Sequence, residues 1–379
     1  MSGSPRSGPA LFDEGSLRTP EGTLRIAENV PLAGLTTLGV GGPARYFVRA
    51  ETAEDVARAV DWAGSRAQPL LVLGGGSNVV VADAGFPGLV LHMAVSGYAR
   101  EEQPDTVTIA AGAGEPWDRF VAAAVESGWA GVECLSGIPG LVGATPIQNV
   151  GAYGQDVSET ITRVEAVDAT SGARVGFAAS ECGFTYRDSR FKGADGGRYI
   201  VVRVSFQLRP GVPPTVRYPE LVRVLEERGL SNPTLADVRR AVVDVRRRKS
   251  MVVDLGDPYS RSVGSFFTNP IVPIAKADRV EGDLRARGHL GPEERLPRYP
   301  SGADHVKVPA AWLIEHSGLA PGVRRGPVGL SPRHALAIVN HGGATAADVV
   351  SFAREVRDRV RDRCGIVLVP EPVFVGVSL

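Results

Sequence analysis

Two glycine-rich stretches constrain this chain more than any other feature. The first, Leu73-Gly74-Gly75-Gly76-Ser77-Asn78, follows the apolar run Leu70 to Leu73. The second runs from Ile138 to Gly154 and holds Gly140, Gly143, Gly151 and Gly154, the prolines Pro139 and Pro146, and the amide pair Gln148-Asn149. Consecutive glycines lose more backbone freedom on folding than any other residues, so they persist where the chain needs unusual dihedrals or a close approach. Their bare amides can form a concave anion site. A tight strand–strand turn is the alternative reading of the first stretch. It is neither a dinucleotide-binding G-x-G-x-x-G nor a Walker A loop, because no Lys follows and Val79-Val80-Val81 reads as strand. The second stretch is uncharged and amide-rich, which suits hydrogen bonding to a flat heterocycle and a diphosphate. Irregular segments of this length inside compact domains usually carry function.

The remaining composition narrows the class. The 379 residues predict two or three domains. Formal net charge is zero, which argues against a nucleic-acid surface. Lysine occurs only at 192, 249, 276 and 307. Cys134, Cys182 and Cys364 are sparse and follow no metal-ligand spacing, as expected in a reducing cytoplasm. Residues 1–23 are rich in Ser, Gly and Pro, resemble neither a signal peptide nor a membrane span, and are expected to be disordered.

Ala44 to Arg49 alternates like a strand. Thr52-Ala53-Glu54-Asp55 caps a helix reaching Ser65, with Val56, Ala59, Val60 and Ala63 inward. Further strands are expected at Leu89 to Leu91, Thr106 to Ala111, Ile161 to Asp168, Tyr199 to Leu208 and Ala335 to Asn340. Further helices are expected from Pro116, Tyr218, Thr234, Ala310 and Thr345. Lys276 to Asp304 reads as a polar surface excursion. Between two strands, Cys182 to Lys192 interleaves charges with aromatics, either as a solvated loop or to hold a charge beside an aromatic ligand. Arg246-Arg247-Arg248-Lys249 ends a helix, where cations are favourable on dipole grounds alone. Gly264 to Pro270 sets Ser265 among Gly and Phe. Glu371 stands between Pro370 and Pro372 in an apolar region, and buried carboxylates need a partner or a task.

Taken together, Leu73 to Asn78, Ile138 to Gly154, Tyr186-Arg187-Asp188-Ser189, Gly264-Ser265-Phe266-Phe267-Thr268-Asn269-Pro270 and Pro370-Glu371-Pro372 closely resemble the UDP-N-acetylenolpyruvoylglucosamine reductase family, in that family's order. The resemblance covers nearly everything from Asn29 onward. Tyr218-Pro219-Glu220-Leu221 and the 276–304 excursion further resemble the longer type, which carries a Tyr-bearing substrate loop.

The resemblance implies an α+β fold of the FAD-binding PCMH/vanillyl-alcohol-oxidase type. Residues 24–95, joined by 369–379, and 96–248 would be two α/β FAD-binding subdomains, and 249–368 an α+β substrate-binding domain. It implies a cytoplasmic, monomeric enzyme of peptidoglycan synthesis, with no nucleic-acid, membrane or metal partner. Non-covalent FAD, reduced by NADPH, would reduce UDP-N-acetylglucosamine enolpyruvate to UDP-N-acetylmuramate. FAD contacts would come from Leu73, Gly74, Gly75, Gly76, Ser77 and Asn78, and from Gly140, Gly143, Ala144, Pro146, Gln148, Asn149, Gly151, Ala152 and Tyr153. Arg187 and Glu371 would stabilise the enolate, Glu371 as a protonated donor, and Ser265 would protonate carbon from a hydroxyl resupplied by water or another donor. Tyr218, Arg246, Lys249 and Asn269 match substrate positions, and His316 falls where other members often carry an amide. A flavin oxidase of the same fold and a non-catalytic nucleotide-binding protein are the rival readings. The Gly-Ser-Phe-Phe stretch and the lack of His in either glycine loop argue against the first. The combination of Arg187, Ser265 and Glu371 argues against the second.

Overall fold

The computed structural model describes residues 24–379; the expected disordered extension 1–23 lies outside them. The described chain divides into two compact units. One gathers 24–30, Ala44–Gly75 and Pro87–Arg248; the other gathers Pro31–Pro43, Gly76–Phe86 and Lys249–Leu379.

The first unit is organised by the strand Tyr199–Pro210, the middle of an antiparallel sheet. It pairs with Ile161–Asp168 on one side and Val107–Gly112 on the other, and Arg174–Ala178 and Tyr98–Glu102 extend the two sides. Its Val202, Val204, Phe206 and Leu208 are all buried, so alternation delivers one apolar face. The helix Trp117–Glu126 covers that face through Trp117 and Phe120, whose rings lie 5.6 and 4.8 Å from that of Phe206. A four-stranded sheet with Leu70–Leu73 parallel to Phe86–Met93 contributes Leu89, Leu91 and Met93 to the same core. The two N-terminal subdomains expected from the sequence therefore share one core.

The helix Leu235–Arg248 buries Val238, Ala241, Val242 and Val245 against Leu221 and Leu225 of Pro219–Glu227. Thr234 and Asp237 cap it reciprocally: the Thr234 amide donates to Asp237 (2.9 Å), and the Asp237 amide to Thr234 Oγ1 (3.2 Å).

The second unit packs two three-stranded sheets and the helix Ala346–Cys364 around Phe266, Phe267, Leu313, Phe352 and their neighbours. Thr345 and Asp348 form a capping box, and Gly365 in the left-handed conformation (φ 65°) ends the helix. The strand Val79–Val81 belongs here, because it pairs in parallel with Val373–Val375.

Two local readings change. The polar excursion begins as a helix, Ile274–Ala286, whose Ala277, Val280 and Leu284 are buried. Charged residues between those small apolar positions hide the helical stripe. The strand expected over 335–340 is only Ile338–Asn340, because the Ala337 amide turns back to the His334 carbonyl (3.0 Å). Among the described residues, no helix is long and apolar enough to cross a membrane.

Candidate active site

In the first unit the two glycine loops touch. A Cβ at Gly75 would lie 3.1 Å from Gly140 Cα, so the backbones pass with no room for side chains. The second loop is pinned to the residue after the strand Val107–Gly112 and to the start of the preceding helix Trp117–Glu126. The Gly143 amide donates to the Ala113 carbonyl (2.9 Å), and the Trp117 amide to that of Gly140 (3.0 Å). A Cβ at Gly143 would stand 2.5 Å from Ala113 Cβ, so packing alone demands this glycine. The loop is not shapeless: Val142–Ala144 is a 3-10 turn, and Gly151–Ala152 pairs with Gln155–Asp156.

Arg187 reaches into this loop from the turn Thr185–Asp188. Its guanidinium donates to the Gly151 carbonyl and to that of Asn149 (3.4 Å), and lies 3.7 Å from Asp156. The buried Asn149 side chain donates to the Thr185 carbonyl (3.0 Å) and accepts from the Ser158 amide (3.2 Å), which ties the two segments. The Ser189 hydroxyl adds a bond to the Ile147 carbonyl (2.6 Å). Arg187 is thus a loop organiser as well as a cation.

Among the described residues six non-glycines have positive φ: Asn29, Ala67, Asn149, Tyr153, Arg187 and Ser250. Three of them are candidate site residues and a fourth follows Lys249. Such conformations cost about 1–3 kcal/mol each and collect where surrounding structure imposes them for function.

Tyr153, Tyr218 and Arg246 form a further group in this unit. The two rings meet edge to face at 5.5 Å. Arg246, only 7% exposed, bonds the Tyr153 side chain. Burial pushes the Tyr153 hydroxyl up to about 12 against the pull of Arg246. Burial likewise lowers Arg246 from its ordinary value, opposed by Tyr153 and Asp118. Asp118 forms a two-bond pair with Arg239 (2.6 and 2.9 Å) and accepts from the Gly137 amide (2.6 Å) at the head of the second loop. Burial works to raise the Asp118 pKa, but Arg239, the amide and Arg246 outweigh it and hold it below 3.8.

In the second unit Gly76 adopts φ 62°, and a Cβ there would meet the Leu35 carbonyl oxygen at 1.9 Å. This glycine, too, is required by the chain itself. Asn78 donates to the Glu371 carbonyl (3.4 Å). Glu371 and Ser265 lie on neighbouring segments of a short antiparallel ladder: the Glu371 amide donates to the Phe266 carbonyl (2.9 Å), and the Thr268 amide to that of Val369 (3.0 Å). Both residues are half-buried.

Ser265 Oγ lies 3.4 Å from Nε2 of His334, a residue that reading the sequence missed. The only sequence signal was a lone His in Ser331-Pro332-Arg333-His334, just ahead of an apolar run. Asn269 Oδ1 accepts from the Ala310 amide (2.9 Å), so it caps the helix Ala310–Glu315. His316 stacks on Trp312 at 3.7 Å and bonds Glu294 (2.8 Å). Its local surroundings account for it without a ligand. Lys249 is half-buried and opens this unit, directly after the helix Leu235–Arg248. Among the described residues there is no cluster of three or more His, Cys, Asp or Glu suited to a metal, and all three cysteines are buried and unpaired.

Residues 257–375 match the family described as UDP-N-acetylenolpyruvoylglucosamine reductase, C-terminal domain, and residues 44–175 match an FAD binding domain. A UDP-N-acetylenolpyruvoylglucosamine reductase of Thermobifida fusca is 50% identical over 94% of this chain and 100% of its own. That of Streptomyces avermitilis is 46% identical over 95% and 99%. The crystal structure of the Thermus caldophilus reductase superposes with a TM-score of 0.62 at 27% identity, covering 93% of this chain and 100% of that one.

Two outcomes test the scaffold. Gly143→Ala should cost about 1–3 kcal/mol of stability in a denaturant titration, because the added methyl overpacks Ala113; an unchanged midpoint would refute the contact. Asp118 has a folded pKa below its unfolded one, so its contribution is complete above pH 3.8 and is lost as pH falls through the folded value. The stability gap between wild type and Asp118→Asn should therefore be constant near neutrality and close on acidification. A gap independent of pH would refute the assignment.

Proposed function

The chain belongs to the UDP-N-acetylenolpyruvoylglucosamine reductase family, and on that premise we propose that it reduces UDP-N-acetylglucosamine enolpyruvate to UDP-N-acetylmuramate at the expense of NADPH. It is an oxidoreductase of peptidoglycan synthesis that uses FAD. The observation that carries the residue-level reading is the backbone ladder holding the Ser265 segment against the Glu371 segment.

The glycine loops fit FAD on one observation in particular. Gly76 and Gly143 are bare because neighbouring atoms leave no space and Gly75 is tight against Gly140 at 3.1 Å, but the nearest contact of a Cβ at Gly74 is an ordinary 3.7 Å, from Leu141 Cδ1. Its bareness is left to be explained by a ligand that approaches the backbone. Leu73 to Asn78 would take the diphosphate on their amides and short polar side chains. Gly140, Gly143, Ala144, Pro146, Gln148, Asn149, Gly151, Ala152 and Tyr153 would hold the remainder. Residues 24–95 and 96–248 are assigned to FAD, and 249–368 to substrate. Bound FAD supplies the hydride.

Hydride addition beside a carboxylate builds negative charge that the protein must stabilise. Arg187 is assigned to that charge as a fixed cation, and Glu371 as a protonated hydrogen-bond donor. Ser265 gives the proton to carbon. Tyr218, Arg246 and Lys249 are assigned to the substrate. Asn269 and His316 are assigned to the substrate too, with side chains that also serve local contacts.

Anaerobic spectra test this reading. The flavin bands should bleach with NADPH and return with the enolpyruvyl sugar nucleotide; return with dioxygen alone would replace the reading with that of an oxidase. Ser265→Ala should bleach at nearly the wild-type rate and recover about 10²–10⁴-fold more slowly, the usual worth of general acid catalysis. Equal loss of both phases would remove Ser265 from its role. Gly74→Ala should keep wild-type thermal stability in the apoprotein and lose flavin affinity, read by equilibrium dialysis; unaltered affinity would refute the Gly74 contact.

A further inference from the structure

Lys249 is followed by a residue in an unfavourable conformation. Ser250 has a left-handed backbone (φ 56°) and is 2% exposed. That conformation costs about 1–3 kcal/mol and persists only where neighbours impose it. Met251 comes next, and a Cβ at Gly264, beside Ser265, would lie 3.6 Å from its Cε. The chain then runs out to Leu255, whose side chain is fully exposed, and returns. The returning limb closes on itself. The Ser260 hydroxyl donates to the Asp254 carbonyl (2.6 Å), the Asp257 amide to the same carbonyl (3.1 Å), and the Tyr259 amide to Asp257 Oδ1 (3.0 Å).

One side chain from outside this loop ties its two limbs. Arg333 Nη1 donates to Ser250 Oγ (3.0 Å) and to Asp257 Oδ2 (3.1 Å), and its guanidinium lies 5.2 Å from the Tyr259 ring centroid. Arg333 is itself anchored: its amide donates to Ser331 Oγ (3.2 Å), and the Ser331 amide to the Ala337 carbonyl (2.8 Å). An exposed ion pair alone would be worth little. Here the Asp257 side chain is only 14% exposed, and the second acceptor is the buried residue next to Lys249.

We propose that Arg333 is a positioning residue for substrate binding: by fixing Ser250 in its left-handed turn, it sets the direction in which Lys249 presents its ammonium to the anionic sugar nucleotide. This rests on the assignment of Lys249 to the substrate. Lysine carries its charge on a flexible stem, and a ligand that binds it must meet the cost of ordering that stem. A fixed backbone beneath it removes part of that cost. Arg333 acts through Lys249, so its loss weakens affinity and spares the chemical step.

The test measures binding of UDP-N-acetylglucosamine enolpyruvate to the oxidised, FAD-loaded enzyme by calorimetry, without NADPH and so without turnover. Arg333→Met should weaken binding about 10–100-fold, the worth of one hydrogen bond to a charged group. Arg333→Lys, which keeps the cation, should recover part of the loss. In anaerobic stopped flow, Arg333→Met should bleach with NADPH, and recover at saturating substrate, within about threefold of wild type, while the substrate concentration for half-maximal recovery rises with Kd. Lys249→Ala should also weaken binding, and combining it with Arg333→Met should add little, because both act on one contact. Ser250→Gly admits the positive φ without strain but lacks the hydroxyl. It should keep the wild-type thermal midpoint and still bind substrate more weakly, which separates positioning from folding. Additive losses in the combined variant would overturn the proposal, as would wild-type affinity in Arg333→Met, Ser250→Gly or Lys249→Ala. Failure of the wild-type enzyme to bind the sugar nucleotide would instead overturn the function from which the proposal starts.

Discussion

The segment Val369–Val375 holds the C-terminal unit together. On one edge its backbone bonds Phe266 and Thr268; on the other it runs parallel to Val79–Val81 and receives the Asn78 side chain. A strand bonded on both sides must present its residues in one register, because a slip by one would turn every side chain over. The placement of Ser265, Glu371 and the Asn78 end of the first glycine loop therefore follows from one set of main-chain bonds. The flanking prolines suit this arrangement. Each removes an N–H donor, and the bonds that remain are those of Glu371 and Val373.

Much of this was legible in the sequence where the signal is local. Capping boxes at Thr52, Thr234 and Thr345 and the inward stripes of their helices are read directly, because the 3.6-residue period and the cap chemistry lie within one segment. The helix Ile274–Ala286 escaped because its buried residues are few and small among charges. The shared core of the N-terminal unit escaped because it depends on which sheets face each other, which no short window encodes. The same limit explains His334: its partner lies 69 residues away, and nothing beside it marks it. His316, by contrast, matches a family position in the sequence, yet Trp312 and Glu294 occupy it.

The glycines teach a finer lesson. A run of three reads as one feature, but the structure gives each a different cause. Gly75 permits one loop to lie on another, Gly76 permits a left-handed bend against Leu35, and Gly74 is pressed by nothing closer than 3.7 Å. Charge follows a similar division of labour. Asp118 spends its charge on Arg239 and the Gly137 amide, and so steadies the start of the second loop. Arg187 spends part of its own on the carbonyls of Gly151 and Asn149.

The order in which a ribosome makes the chain gives the late strand another meaning. Asn78 and Glu371 are separated by 293 positions, so Val79–Val81 emerges long before its parallel partner Val373–Val375 exists. Through most of translation this all-valine strand is a sticky edge awaiting its mate, the kind of surface that invites pairing with a neighbouring chain. Closing so long a loop costs little more than closing one of half the length. The delay is thus a hazard of timing more than of equilibrium, and a nascent chain short of residue 373 has no means of completing that unit.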